Sequence, residues 1–190
     1  MRARSSKLSG HREARPPHAA ATIFVRAAHA DAPAAHFCTD GLTVPCALGR
    51  GGISRGKREG DGATPAGRLV LRRIWYRADR VPRPRSRLPV HAIRPDDGWC
   101  DAAGDRNYNR PVRLPYPASH ERLWRDDHVY DVVVELGWNE RPRVQGRGSA
   151  IFLHLARPGY APTEGCVALA RADMLRLLPH LRPGMALIIS

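Results

Sequence analysis

A chain of 190 residues, 43% of them hydrophobic, has length for one compact domain and too little for two. Folding at this size buries roughly 70% of the unfolded surface, so a disulfide mini-protein is excluded, and no apolar run reaches the ~20 residues of a membrane-crossing helix. The formal charge of +13 is nearly all guanidinium, since Lys7 and Lys57 are the only lysines. These arginines suit anionic partners, but they are scattered and no reader motif accompanies them, which argues against specific nucleic-acid binding.

Residues 1–20 are basic, contain prolines and lack a periodic apolar face, which predicts a disordered arm ahead of a folded unit at 21–190. The arm only loosely imitates an export signal. Arg26 interrupts the apolar stretch Ile23, Phe24, Val25, although Ala28, His29 and Ala30 offer a small-x-small pattern, so the chain as written has no clear signal peptide. Short β-rich runs then follow at 22–25, 42–48, 68–76, 129–136, 149–156 and 185–189, separated by Gly, Pro and Asp clusters. This pattern predicts a mostly β sandwich or barrel. Gly49 to Gly52 and Gly60 to Gly62 read as loop and turn, with Pro65 and Gly67 leading into a strand. Residues 82–125 show little periodicity yet carry Trp99, Tyr108, Tyr116 and Trp124, which predicts a long ordered insertion with something to bury. Met174, Leu175, Leu177, Leu178 and Leu181 sit near helical spacing and predict one short C-terminal helix over 170–181, stopped by Pro183 and Gly184.

Chemistry concentrates in residues 148–169, GSAIFLHLARPGYAPTEGCVAL. A buried strand ending at His154, a loop through Pro158 and Pro162, and a turn at Thr163, Glu164, Gly165 would bring His154 beside Cys166. An imidazole that takes the thiol proton makes a nucleophile held as an ion pair. Gly165 lets the turn tighten and a carbonyl approach the sulfur, and the Cys166 N–H with its neighbour would form an oxyanion hole, the turn being fixed by Thr163. The same residues also fit a blander account. Cys166 could be a small buried hydrophobe, His154 a satisfied strand end, Thr163 a turn cap and Glu164 a solvated carboxylate. Cys38, Cys46, Cys100 and Cys166 show neither CxxC pairing nor zinc-ribbon spacing, the segment at His120 and Glu121 is not HExxH, and the Asp-rich stretch lacks a calcium-loop pattern.

The order His, loop, Thr, x, Gly, Cys, apolar resembles the YkuD-type L,D-transpeptidase catalytic domain. A second segment is similar to the same family: REGDGATPAGRLVL, Arg58 to Leu71, matches its Gly-Asp then Thr-Pro-x-Gly turn. The C-terminal helix and the Pro-Gly turn into MALII fit as well, so the resemblance spans about Thr22 to Ser190. It implies a mostly β fold and a cysteine acyltransferase on peptidoglycan stem peptides or muropeptides, with no metal or other cofactor. Cys166 would attack the bond between the diamino acid and the terminal D-Ala, a thioester would form, and His154 would shuttle protons while a second stem amine takes the acyl group in a 3→3 crosslink. The family implies the cell envelope, in tension with the unclear signal peptide.

Departures from the family pattern bear on substrate choice. Glu164 replaces a histidine, and Ala168 stands where Arg or Asn is usual. The insertion residues His120, Glu121, Arg122, Trp124 and Arg125 offer a substrate-binding wall, with an exposed salt-bridged surface as the alternative. Two other functions remain open: an L,D-carboxypeptidase or amide hydrolase on the same fold, and a non-enzymatic basic module that binds an anionic polymer. The sequence sets no oligomeric state.

Overall fold

Period-two burial starts at the first strand, β1 (Thr22–Ala27), where Ile23 and Val25 are fully buried and their neighbours are exposed. The structure is a computed structural model and describes residues 22–27 and 29–190. The arm expected at 1–20 lies outside the described residues. Next come β2 (Ala34–Thr39) and β3 (Leu42–Ala47), an antiparallel hairpin closed by Asp40 and Gly41, with Thr39 paired to Leu42. Gly41 has φ +85°, the left-handed backbone a two-residue hairpin turn requires. β2 was not expected. Its Ala, His and Cys residues have weak strand preference, while the Asp-Gly pair that follows was a usable signal.

A glycine-rich loop carries the short parallel pair β4 (Ile53–Ser54) and β5 (Thr64–Pro65), then enters the long β6 (Gly67–Tyr76). β7 (Val90–Ala92) lies parallel to the end of β6. The predicted insertion is ordered, as β8 (Asp97–Cys100), β9 (Arg110–Arg113) and β10 (His120–Arg122), with β8 central in a three-stranded antiparallel sheet. The chain returns through β11 (Val132–Gly137), β12 (Phe152–Leu155) and β13 (Val167–Leu169). Helix α1 (Arg171–Leu177) gives way to a 3₁₀ turn at Leu178–His180, because Pro179 has no N–H to continue the helical ladder, and β14 (Ala186–Ile189) follows.

Pairing runs β11-β12-β13-β3-β2-β1-β14-β6, and β6 pairs again with β11, so the main sheet closes into a barrel. Its interior holds Ile23, Phe37, Leu69, Ile74, Val134, Leu153, Val167 and Leu187, all essentially without solvent contact. Each such side chain stabilises by about 1.5–3 kcal/mol relative to exposure. A second apolar cluster lies outside the barrel wall, where Trp99 and Leu123 of the insertion meet Val133, Phe152 and Cys166. Trp99 meets the Phe152 ring edge-on at 5.3 Å. The insertion sheet therefore covers the outer face of β11 and β12.

Candidate active site

Strand register decides where the two chemical groups point. β12 and β13 run parallel with Leu153 opposite Val167 and His154 opposite Ala168. Leu153 and Val167 fill the barrel, so the alternating partners Phe152, His154, Cys166 and Ala168 face outward, toward the insertion. Cys166 Sγ lies 3.3 Å from the Phe152 N–H and donates its S–H to the Ala150 carbonyl at 3.3 Å. Ala150 reaches that position with φ +48°, a left-handed conformation unusual for alanine. Cys166 and His154 both line a cleft of about 370 Å³, together with Tyr130, Thr163, Lys57, Glu121 and Arg125.

His154 Nδ1 sits 3.0 Å from the Leu155 carbonyl. A carbonyl only accepts, so the ring proton resides on Nδ1 and Nε2 keeps its lone pair. The Tyr130 ring packs on the imidazole at 5.3 Å between centroids. Burial pushes the His154 pKa down to about 4, leaving a neutral base. Burial also pushes the Cys166 thiol up to about 12, with the Glu121 charge adding to the rise and the Phe152 N–H, Lys57 and Arg125 opposing it. The resting pair is thus thiol and neutral imidazole. A preformed ion pair was expected from the sequence, and removal from water disfavours both of its charges.

The nucleophile's turn is braced by its neighbours. Thr163 Oγ1 donates to the Cys166 carbonyl at 2.7 Å and accepts the Gly165 N–H at 3.1 Å. Thr163 itself is pinned to the glycine-rich loop by its N–H to the Leu48 carbonyl, 2.8 Å, and by the Arg50 N–H to its carbonyl, 2.9 Å. Gly165 has φ +131°, and a Cβ there would stand 2.8 Å from the Ala63 carbonyl oxygen. Thr64 ties the loop together, taking the Gly49 N–H at 2.8 Å and donating to the Cys166 carbonyl at 3.4 Å. The Thr-Pro segment and the Gly-Cys segment are thereby in direct contact. Because Thr163 takes up the Gly165 amide, that N–H serves the turn, which leaves only the Cys166 N–H of the two amides expected to form an oxyanion hole.

Glu164 is exposed and pairs with the exposed Arg50, an arrangement worth at most about 1 kcal/mol. It borders the cleft mouth without being buried in it. His120, Arg122 and Trp124 do not line the cleft: His120 Nδ1 lies 2.7 Å from the Ala118 carbonyl, Arg122 is exposed, and Trp124 lies 3.6 Å beneath the Arg77 guanidinium. Strand alternation is the reason. On β10 it turns Glu121 toward the cleft and its neighbours away, and Arg125 follows Glu121 into the lining. Glu121 accepts the Tyr130 hydroxyl at 2.5 Å, and burial holds its carboxyl above the usual range. Lys57 and Tyr130 were missed. Lys57 was visible as one of only two lysines, inside the glycine-rich loop. Among the described residues, no three His, Cys, Asp or Glu side chains converge as metal ligands, and all four cysteines are free thiols.

A family model described as the YkuD L,D-transpeptidase catalytic domain matches residues 28–189, most of the chain. The chain belongs to the YkuD family. Comparisons with curated proteins and with solved structures give no match. The YkuD domain is accordingly an L,D-transpeptidase-type catalytic domain, from an enzyme family that acts on peptidoglycan. Among the described residues, no helix is long and apolar enough to cross a membrane.

Proposed function

We propose that this YkuD domain is a cysteine peptidyltransferase on peptidoglycan stem peptides, with Cys166 as nucleophile and His154 as its base. One observation carries the reading: an outward-facing thiol just before β13 and an imidazole on the parallel neighbour β12, its Nε2 lone pair available, line the same cleft. Donor binding excludes water and presents a carbonyl to the sulfur. The Cys166 proton then passes to His154 Nε2 as the carbon–sulfur bond forms and the carbonyl electrons move to oxygen, where the Cys166 N–H stabilises them. Collapse breaks the carbon–nitrogen bond, and the imidazolium proton goes to the departing D-Ala nitrogen. The thioester that remains is attacked by the amine of a second stem, which gives a proton to His154, and the released sulfur takes that proton back.

Proton transfer coupled to substrate binding suits the neutral resting pair, because neither charge has to persist in the empty site. The test combines a stem tetrapeptide donor with a diamino-acid stem acceptor and separates the products. A 3→3 linked dimer with released D-Ala, absent with Cys166→Ala, is the expected result. Trimmed tripeptide without dimer would assign water as the acceptor and make the domain an L,D-carboxypeptidase. Polymer binding without either product, insensitive to Cys166→Ala, would make it a binding module.

A further inference from the structure

The glycine-rich loop carries a cation that the reaction scheme above does not use. Lys57 is 4% exposed and lines the cleft. Its Nζ donates to Asp61 Oδ1 at 2.5 Å and to the Arg58 carbonyl at 3.0 Å. An ammonium has three N–H donors, and among the described residues the third has no protein acceptor. Asp61 is itself immobilised by the Arg58 and Ala63 N–H groups at 2.7 and 2.9 Å. The lysine stem lies on Gly148, where a Cβ would come within 3.0 Å of Lys57 Cε, and its ammonium is 3.5 Å from the place a Cβ would occupy on Gly165. The head is therefore held against the backbone that carries the sulfur.

Residue choice is informative here. The chain uses arginine almost everywhere for positive charge, and at this one place in the folded unit it uses lysine. A compact ammonium is a point charge with rotatable donors, whereas the planar guanidinium fork is suited to bidentate partners. A buried cation with an unused donor, clamped beside a nucleophile, opposes the negative charge that Glu121 brings from the other wall. We infer that Lys57 is a charge-stabilising residue of the site, and that Asp61 positions it to offset the negative charge that moves from Cys166 sulfur to the substrate carbonyl oxygen during acylation. This rests on the proposed reaction at Cys166.

Two variants with opposite expected signs test it. Lys57→Met removes the cation and Asp61→Asn leaves it without its counter-charge. With iodoacetamide at a fixed pH of about 8, Cys166 alkylation slows at least threefold in Lys57→Met and quickens at least threefold in Asp61→Asn, consistent with shifts of about one pKa unit from a neighbouring charge. With a stem tetrapeptide, Lys57→Met lowers kcat about 100-fold, the scale of one lost oxyanion-stabilising group, and leaves KM within threefold. A merely structural lysine would loosen the turn and expose the sulfur, so both variants would be alkylated faster. Alkylation of Lys57→Met as fast as wild type, or a loss confined to KM, overturns the inference. Should Lys57→Met fail to fold, Asp61→Asn decides together with amide hydrogen exchange: faster alkylation with wild-type exchange at residues 163–167 is expected, and unchanged or slower alkylation, or faster alkylation with faster exchange there, overturns the inference. Alkylation involves no peptide, so wild-type protein that shows the expected alkylation pattern but forms no acyl-enzyme refutes the proposed reaction and leaves the charge effect standing.

Discussion

Alkylation of Cys166 across pH distinguishes a neutral resting pair from a preformed ion pair. With the thiol at about 12, pH 7.5 leaves roughly 3,000-fold less thiolate than an ordinary cysteine near ~8.5 would have. A more basic thiolate is also more reactive, and a Brønsted slope of ~0.4–0.5 returns about 40-fold, so a deficit of roughly 80-fold remains. The rate should climb tenfold per unit, about 1,000-fold between pH 6.5 and 9.5, with no shoulder. The assay is iodoacetamide labelling quenched over time, with peptide mass spectrometry to separate Cys166 from the free thiols Cys38, Cys46 and Cys100. His154→Ala should leave this profile in place, since no ion pair is lost. A rate that is already fast and flat from pH 6 upward in wild type, and that collapses in His154→Ala, would show a preformed thiolate–imidazolium pair instead.

Four further outcomes follow from named contacts. Gly165→Ala forces a side chain into φ +131° and to 2.8 Å from the Ala63 carbonyl oxygen; a cost of about 1–3 kcal/mol should lower Tm by roughly 2–12 °C, and displacement of the sulfur should cut acylation about 100-fold. Asp131 is 2% exposed and holds Arg80, His128 and Arg171 at 3.0, 3.0 and 3.2 Å, so Asp131→Ala leaves three partly exposed side chains without their shared buried acceptor and should destabilise by about 1–3 kcal/mol in urea unfolding. Burial alone would raise the Asp131 carboxyl, but hydrogen bonds from His128 and Arg80 outweigh it and hold the pKa low, so its stabilisation is full above the ordinary carboxylate range and is lost as pH falls through the depressed value. Asp131→Asn should flatten that acid limb, and a limb identical to wild type would contradict the assignment. Glu121→Gln removes a negative charge that raises the Cys166 thiol, so alkylation at pH 8 should quicken while Tyr130 keeps an acceptor.

The candidate segment, residues 148–169, could be singled out in the sequence because its geometry is local. An apolar strand carrying His154, a loop and a Gly-Cys turn constrain where two side chains point, although the strand runs from Phe152 to Leu155 and does not stop at His154. The helix was legible too, apart from its early end at Pro179. What was not legible depends on contacts between distant segments. The cleft wall is set by the register of β10, which selects Glu121 over His120 and Arg122, and composition carries no register. β13 was hidden because three residues after a cysteine are too few to show a period, and it becomes a strand only between β12 and β3. The resting protonation state followed from burial under Trp99 and Leu123, supplied by an insertion whose placement no local pattern records.

A covalent acyl bond on Cys166 is read directly by intact-protein mass spectrometry. Wild-type protein incubated with a stem tetrapeptide and no acceptor should gain the mass of the donor acyl group without its D-Ala, mapped to Cys166 and removed by hydroxylamine. Donor consumption with no adduct at any time, or the same adduct on Cys166→Ala, would rule out acylation at Cys166.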